Sequence, residues 1–311
     1  MVASRSAVSS PPVETTGTRT IRTGTLIVVS LLVGAGIAML WSAKLVDDDI
    51  GVNSATGILG HNSLTSGISS SGAGIVFAFI AGLAGTFTAC NVAAFSAIAP
   101  LMQDAPSLGA RARAALRPVG WLAVGVIVVA GLYGAIGAAF GKHIPQLSTA
   151  TIGNGVHVRT LQAIGIFSVI GLIFIYLGLA AAGTVPDPLR RLTARWPHTP
   201  QLVMGALIGG FLIGRPYPLF YKMFAYAAST HDPAYGAAAF ILVALGNILL
   251  MAILFLVLSM TRYQQWLQSR PGRVARFTAV ALLIGGGFTL AYWGLRVPAN
   301  LGYGWFPTVG W

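Results

Sequence analysis

Residues Gly214 to Phe224 read GRPYPLFYKMF. Apolar sequence flanks them from Leu202 to Ile213 and onward to Ala228, inside what would otherwise be one long hydrophobic helix. Pro216 and Pro218 cannot both sit in an uninterrupted helix, because each removes a backbone donor and its ring crowds the preceding turn. Arg215 and Lys222 are ionisable residues at or near membrane depth, where charge is costly and usually faces a bundle interior or an aqueous cavity. The stretch reads as a helix broken inside a membrane.

The rest of the chain agrees with a membrane setting. Of its 311 residues, 55% are hydrophobic and 8% charged, against roughly 25% charged in a soluble domain. Small residues recur at helix-contact spacing, as at Gly205 and Gly209 and at Gly210 and Gly214, which lets backbones approach closely in lipid. Taking about 20 apolar residues per crossing, the sequence predicts seven helices. They cover Thr25–Leu45, Ala73–Met102, Pro118–Phe140, Leu161–Ala182, Leu202–Ala228, Gly236–Met260 and Phe277–Val297.

The fold expected is therefore an all-α integral membrane protein. Residues 1–22, rich in Ser, Thr and Pro, read as a disordered cytoplasmic tail, and residues 23–45 as an N-terminal anchor. An extracytoplasmic loop follows over 46–72, then a three-helix unit over 73–183 and a basic cytoplasmic loop over 184–200. A second three-helix unit covers 201–297, and residues 298–311 form an aromatic outer tail. A cleaved signal peptide is the rival reading of the anchor, but a cut after Ala43 would put Trp41 where a small residue is needed.

The net charge of +12 is explained by where the basic residues sit. Arg5, Arg19 and Arg22 precede the first span, and Arg111, Arg113 and Arg117 lie between the second and third. Arg190, Arg191 and Arg195 follow the fourth, and Arg262, Arg270, Arg273 and Arg276 follow the sixth. The intervening loops carry Asp47–Asp49 and Asp232. The positive-inside rule places the N-terminus in the cytoplasm and the C-terminal tail outside, in a bacterial plasma membrane. The excess is a topology signal, with membrane lipid and not nucleic acid as the partner.

A second interruption lies in the long second span, where Gly85 to Phe95 read GTFTACNVAAF around the only cysteine, Cys90. Both interrupted helices open a triplet of spans, and the two triplets have opposite orientation. Broken helices at equivalent positions of inverted repeats are the best sequence pointer to a mid-membrane site. Thr86, Thr88, Asn91, Arg215, Tyr217 and Lys222 are its candidate substrate- or ion-binding residues, with Pro216 and Pro218 as the helix breaks. Plainer readings stand beside this one. The prolines kink a structural helix, Arg215 and Lys222 snorkel to the interfaces, the threonines bond neighbouring helices, and Cys90 is a small buried hydrophobe.

At these residues the chain resembles the transmembrane electron carriers of cytochrome c biogenesis and the membrane domain of the thiol:disulfide interchange proteins. Gly82-Leu83 leads to Cys90 at the family's spacing. The next proline, Pro100, comes later than the family pattern has it, Ala89 replaces a proline, and Arg215-Pro216-Tyr217-Pro218 stands where the family has Pro-Cys. The resemblance implies two inverted three-helix repeats and thiol exchange through Cys90 as the catalytic residue, with a thioredoxin-like or extracytoplasmic protein as partner. An exchanging thiolate needs a second sulfur to resolve the mixed disulfide, so Cys90 could act only with a cysteine of a partner chain or a second copy, or with a bound metal.

Three functions follow as alternatives: thiol-redox support for maturation of cytochromes or other exported enzymes; secondary transport of a small anion or metal ion; and a structural subunit of a larger membrane complex or homo-oligomer. No enzyme signature, metal-ligand set or cofactor motif stands out. His61, His143 and His157 fall on the outer side and read as solvated. In cells, alkaline phosphatase fused after Trp311 is expected to be active, and the same enzyme fused after Arg195 inactive. The reverse pattern overturns the orientation.

Overall fold

The computed structural model describes residues 16–42, 44–60, 67–86, 108–152, 155–259 and 272–308. These are mostly helical. In chain order the principal helices are α1 (Thr16–Leu40), α2 (Asn53–Leu59), α3 (Ser71–Ala84), α4 (Leu108–Phe140) and α5 (Val158–Ala181). They continue with α6 (Arg190–Arg195), α7 (Thr199–Gly210), α8 (Pro218–Thr230), α9 (Pro233–Ser259), α10 (Arg273–Leu290) and α11 (Val297–Asn300). Two 3-10 turns, Gly141–His143 and Pro145–Leu147, and a two-stranded antiparallel hairpin, Thr151–Ile152 with Val156–His157, join α4 to α5.

Among the described residues five segments are long and apolar enough to cross a membrane: Thr23–Leu40, Leu116–Phe140, Val158–Ala181, Pro233–Leu250 and Arg273–Asn300. The fifth expected span is not one helix. It is α7 and α8, with turn and extended backbone between them over residues 211–217. At 12 and 13 residues and about 1.5 Å per residue, neither half reaches across a core of about 30 Å. The second expected span begins as α3, which stops at Ala84 with Gly85 and Thr86 outside the helix.

At the N-terminus the sequence reading needs correcting. Thr16 to Arg22 were expected to be disordered, yet they form the first turns of α1. Once the apolar part of a helix is nucleated, extending it costs little, so polar residues are carried along. At the other end the C-terminal tail folds back, with Phe306 packing against the cluster of Ala38, Phe288 and Ala291. Arg296 closes the same corner by donating to the carbonyls of Ala38 and Trp41 at the end of α1.

Glycines decide how the helices cross. A Cβ at Gly82 of α3 would strike the Val243 carbonyl of α9, and one at Gly246 of α9 would strike the Phe79 carbonyl of α3. The same arrangement joins α7 to α4. Gly205 faces the Leu122 carbonyl, and Gly125 faces the Leu202 carbonyl. In all four cases the glycine rests on the carbonyl three residues before the partner glycine. Gly134 against Gly236 joins α4 to α9, and Gly171 against Gly286 joins α5 to α10. Between helices in lipid no water is released on contact, so close backbone approach supplies the attraction.

These contacts also fix directions. α3 and α9 run parallel, as do α4 and α7, whereas α4 and α9 are antiparallel, as the residues paired at each crossing require. Helix α1 lies against α10, where Gly34 meets Ile284 and Phe288 and Gly287 meets Leu31. Replacing Gly82 or Gly205 by Val is expected to destabilise the bundle by about 1–3 kcal/mol through overpacking. Gly120→Ala has open space around its Cβ and should not lower the unfolding temperature. Thermal unfolding of the detergent-solubilised chain measures both.

Candidate functional site

Helix α3 ends where α8 begins. The two run antiparallel, with Gly74 beside Tyr226, Phe77 beside Lys222 and Gly85 beside Phe220. Gly85 closes α3 as its C-cap and has no room for a side chain: a Cβ there would lie 2.8 Å from the Phe220 ring and 3.4 Å from Arg215 Nη1. Arg215 Nη1 donates to the Gly85 carbonyl at 3.2 Å. The end of α3 and the break that precedes α8 therefore touch, through a backbone carbonyl on the first and a guanidinium on the second.

Arg215 is 8% exposed. Burying a cation costs several kcal/mol unless it is well partnered, and three features lower that cost. The Gly85 carbonyl lies at the C-terminal end of α3, where the helix dipole favours positive charge. A hydrogen bond from a charged donor contributes about 1.5–3 kcal/mol. The guanidinium carbon also lies 5.2 Å from the Tyr217 ring centroid and 5.0 Å from that of Phe220, each contact contributing about 0.5–2 kcal/mol.

The backbone leading to Arg215 depends on Gly214, at φ 80°. Any other residue pays for a left-handed conformation, and a Cβ here would come 3.2 Å from the Ala163 backbone nitrogen on α5. The chain then extends through Pro216 and Tyr217, and Pro218 opens α8 at the first helical position, where a missing N–H costs nothing. Tyr217 is the N-cap residue but gives no side-chain cap. Its ring is 1% exposed and meets Phe220 edge-on at 5.0 Å. The positive end of the α8 dipole thus opens beside Arg215.

The remaining candidates separate. Thr86 is fully buried, and its hydroxyl donates to Leu83 O at 2.8 Å and reaches Gly246 O at 3.5 Å; it links α3 to α9 at the junction. Lys222 sits further along α8 with Nζ 5.2 Å from the Phe77 ring centroid, on the α3 side. Pro216 and Pro218 are exposed at the break itself. Cys90, Thr88 and Asn91 lie outside the described residues.

Sequence reasoning missed three side chains that gather at this break. Gln146, in the 3-10 turn before α5, is 3% exposed and donates through Nε2 to the Arg215 carbonyl at 3.3 Å. Tyr133 of α4 is 8% exposed, its ring stacked 5.1 Å from Phe224 and edge-on to Phe240 at 5.7 Å. Gln162 of α5 lies beside Gly214, its Cγ 3.4 Å from where a Cβ would stand. An amide early in an otherwise apolar helix was the one available signal, at Gln162.

Among the described residues no group of three or more His, Cys, Asp or Glu could hold a metal ion. His143 and His157 are exposed. The chain is mostly helical, with five membrane-length apolar helices among the described residues, and it matches no family model, no curated protein and no solved structure. Gly214→Ala is expected to lower stability by about 1–2 kcal/mol, from the left-handed backbone alone. Thermal unfolding should register it, and an unchanged midpoint would show that the break tolerates another backbone.

Proposed function

We propose that the chain is a secondary carrier for a small anion, with its site where the two broken helices meet. The observation that carries this reading is the buried Arg215 guanidinium bridging to Gly85, with the uncapped start of α8 beside it. Both features favour negative charge. Discontinuous backbone at membrane depth is tolerated when it is buried in protein or lines a cavity. In carriers such backbone forms the substrate site.

The proposed architecture has seven crossings: the five long helices, the pair α7–α8, and a second crossing that begins with α3. The last six form two inverted triplets. Reciprocal glycine packing supports this. The first segment of each triplet, α3 or α7, crosses the second helix of the other, α9 or α4, with glycines in the same relation. Exchanging the triplets maps the α4–α9 and α5–α10 pairs onto themselves. The N-terminus is proposed to be cytoplasmic and the membrane a bacterial plasma membrane.

Thiol exchange at Cys90, implied by the resemblance, is a separate proposal, motivated by its position five residues beyond the break at Gly85. The purified chain in proteoliposomes distinguishes the two. Gradients of chloride, sulfate, phosphate, acetate or glycolate should drive a saturable current on a solid-supported membrane. Arg215→Gln should cut that current at least tenfold, in keeping with loss of one charged hydrogen-bonding group. Cys90→Ser should leave it unchanged. Absence of current, together with loss of exported haem proteins in cells carrying Cys90→Ser, would transfer the function to the thiol. If both readouts are indifferent to both substitutions, the chain is a structural subunit.

A further inference from the structure

Three buried polar atoms at the break have no hydrogen-bond partner among the described residues: Tyr133 Oη, Gln146 Oε1 and Gln162 Oε1. They come from α4, the 3-10 turn and α5, three neighbouring elements of the chain, and converge on Gly214 and Arg215, which lie in a distant part of the sequence. Gln146 Nε2 is bonded to the Arg215 carbonyl, which fixes the orientation of that amide and leaves its oxygen as the unmatched end. The Tyr133 hydroxyl lies in weak polar contact with the Gly214 backbone and the Gln162 side chain, short of the geometry of a full hydrogen bond to either. Its ring is clamped between Phe224 and Phe240, so the hydroxyl cannot swing far to find another partner.

Leaving a buried polar atom unmatched costs more than a hydrogen bond gains, and native structures contain few of them. Three around one helix break, next to a buried cation, are the pattern of a site awaiting a ligand. Their chemistry says what the ligand must bring. A glutamine Oε1 only accepts, and a tyrosine hydroxyl donates or accepts. A halide or fully ionised oxyanion also only accepts, and so cannot satisfy either amide oxygen. Arg215 and the start of α8 already provide for negative charge.

We propose that Tyr133, Gln146 and Gln162 form the second half of the site, and that they select an oxyanion carrying its own O–H or N–H donor. The negative oxygens face Arg215 and the α8 terminus, and the donor faces the amide oxygens. This rests on the anion-carrier reading and adds the substrate class to it. Hydroxycarboxylates and protonated inorganic oxyanions share this chemistry.

Binding to the detergent-solubilised chain at pH 7, measured by isothermal titration calorimetry, tests it with two matched pairs. Glycolate differs from acetate by one hydroxyl, and phosphate retains an O–H that sulfate lacks. The donor-bearing member of at least one pair should bind about tenfold more tightly, as expected when an otherwise unmatched buried acceptor gains its donor. Preference within the first pair alone assigns an organic ligand, and within the second an inorganic one. Tyr133→Phe and Gln162→Met should each bring that ratio towards one.

Equal affinities within both pairs overturn the proposal and mean that the three atoms are satisfied by water. A preference that survives both substitutions overturns the assignment to these residues. Failure of the wild-type chain to bind any of the four anions defeats the carrier reading itself. The wild-type comparison stands whether or not a variant folds.

Discussion

A guanidinium held against the carbonyl at the end of a helix is the contact around which this membrane core is arranged. Helix α3 stops at Ala84 and helix α8 starts at Pro218, and Gly85, Thr86, Arg215 and Tyr217 between them are buried. Arg215 reaches across to Gly85 and answers the carbonyl end of one helix, while its own carbonyl is taken by Gln146. The charge tolerates this position because Tyr217 and Phe220 present their rings to it. The Gly85 and Arg215 carbonyls at the interruption are thus both answered by side chains from within the bundle, while the start of α8 has no side-chain cap.

That contact requires the backbones to come close, and glycine is what permits it. Gly85 yields space to Phe220, Gly214 turns the chain, and Gly82 with Gly246 brings α3 and α9 into register so that Thr86 reaches Gly246. Apolar burial cannot draw helices together in lipid as it does in water. Van der Waals contact between bare backbones takes over that role, and bulky residues fill only the larger gaps, as with Phe167 between Phe211 and Trp293.

Much of this was legible in the sequence. Pro216, Pro218 and Gly214 announce a helix that cannot continue, and the apolar runs give the five membrane-length helices, because both signals are local. The meeting of the breaks depends on which helices cross, and only the glycine spacing hinted at that. Tyr133 and Gln146 were invisible for the same reason. Each looks unremarkable in its own segment, a tyrosine in an apolar helix or a glutamine after a proline, and acquires meaning only where three elements converge. Thr16 to Arg22 were misread because composition describes a segment in isolation, whereas a helix already nucleated downstream draws its flank into the same hydrogen-bonded ladder.

The glycine crossings have a mechanical consequence. Helices that pack through large side chains interlock, ridge in groove, and any change of angle must lift one set of ridges over the other. Where Gly82 meets Gly246 and Gly125 meets Gly205, there are no such ridges at the point of contact. Pulling the helices apart loses close-range attraction, but pivoting about the contact meets little steric resistance. The bundle is therefore stiff to separation and soft to rotation at two points, one between α3 and α9 and one between α4 and α7.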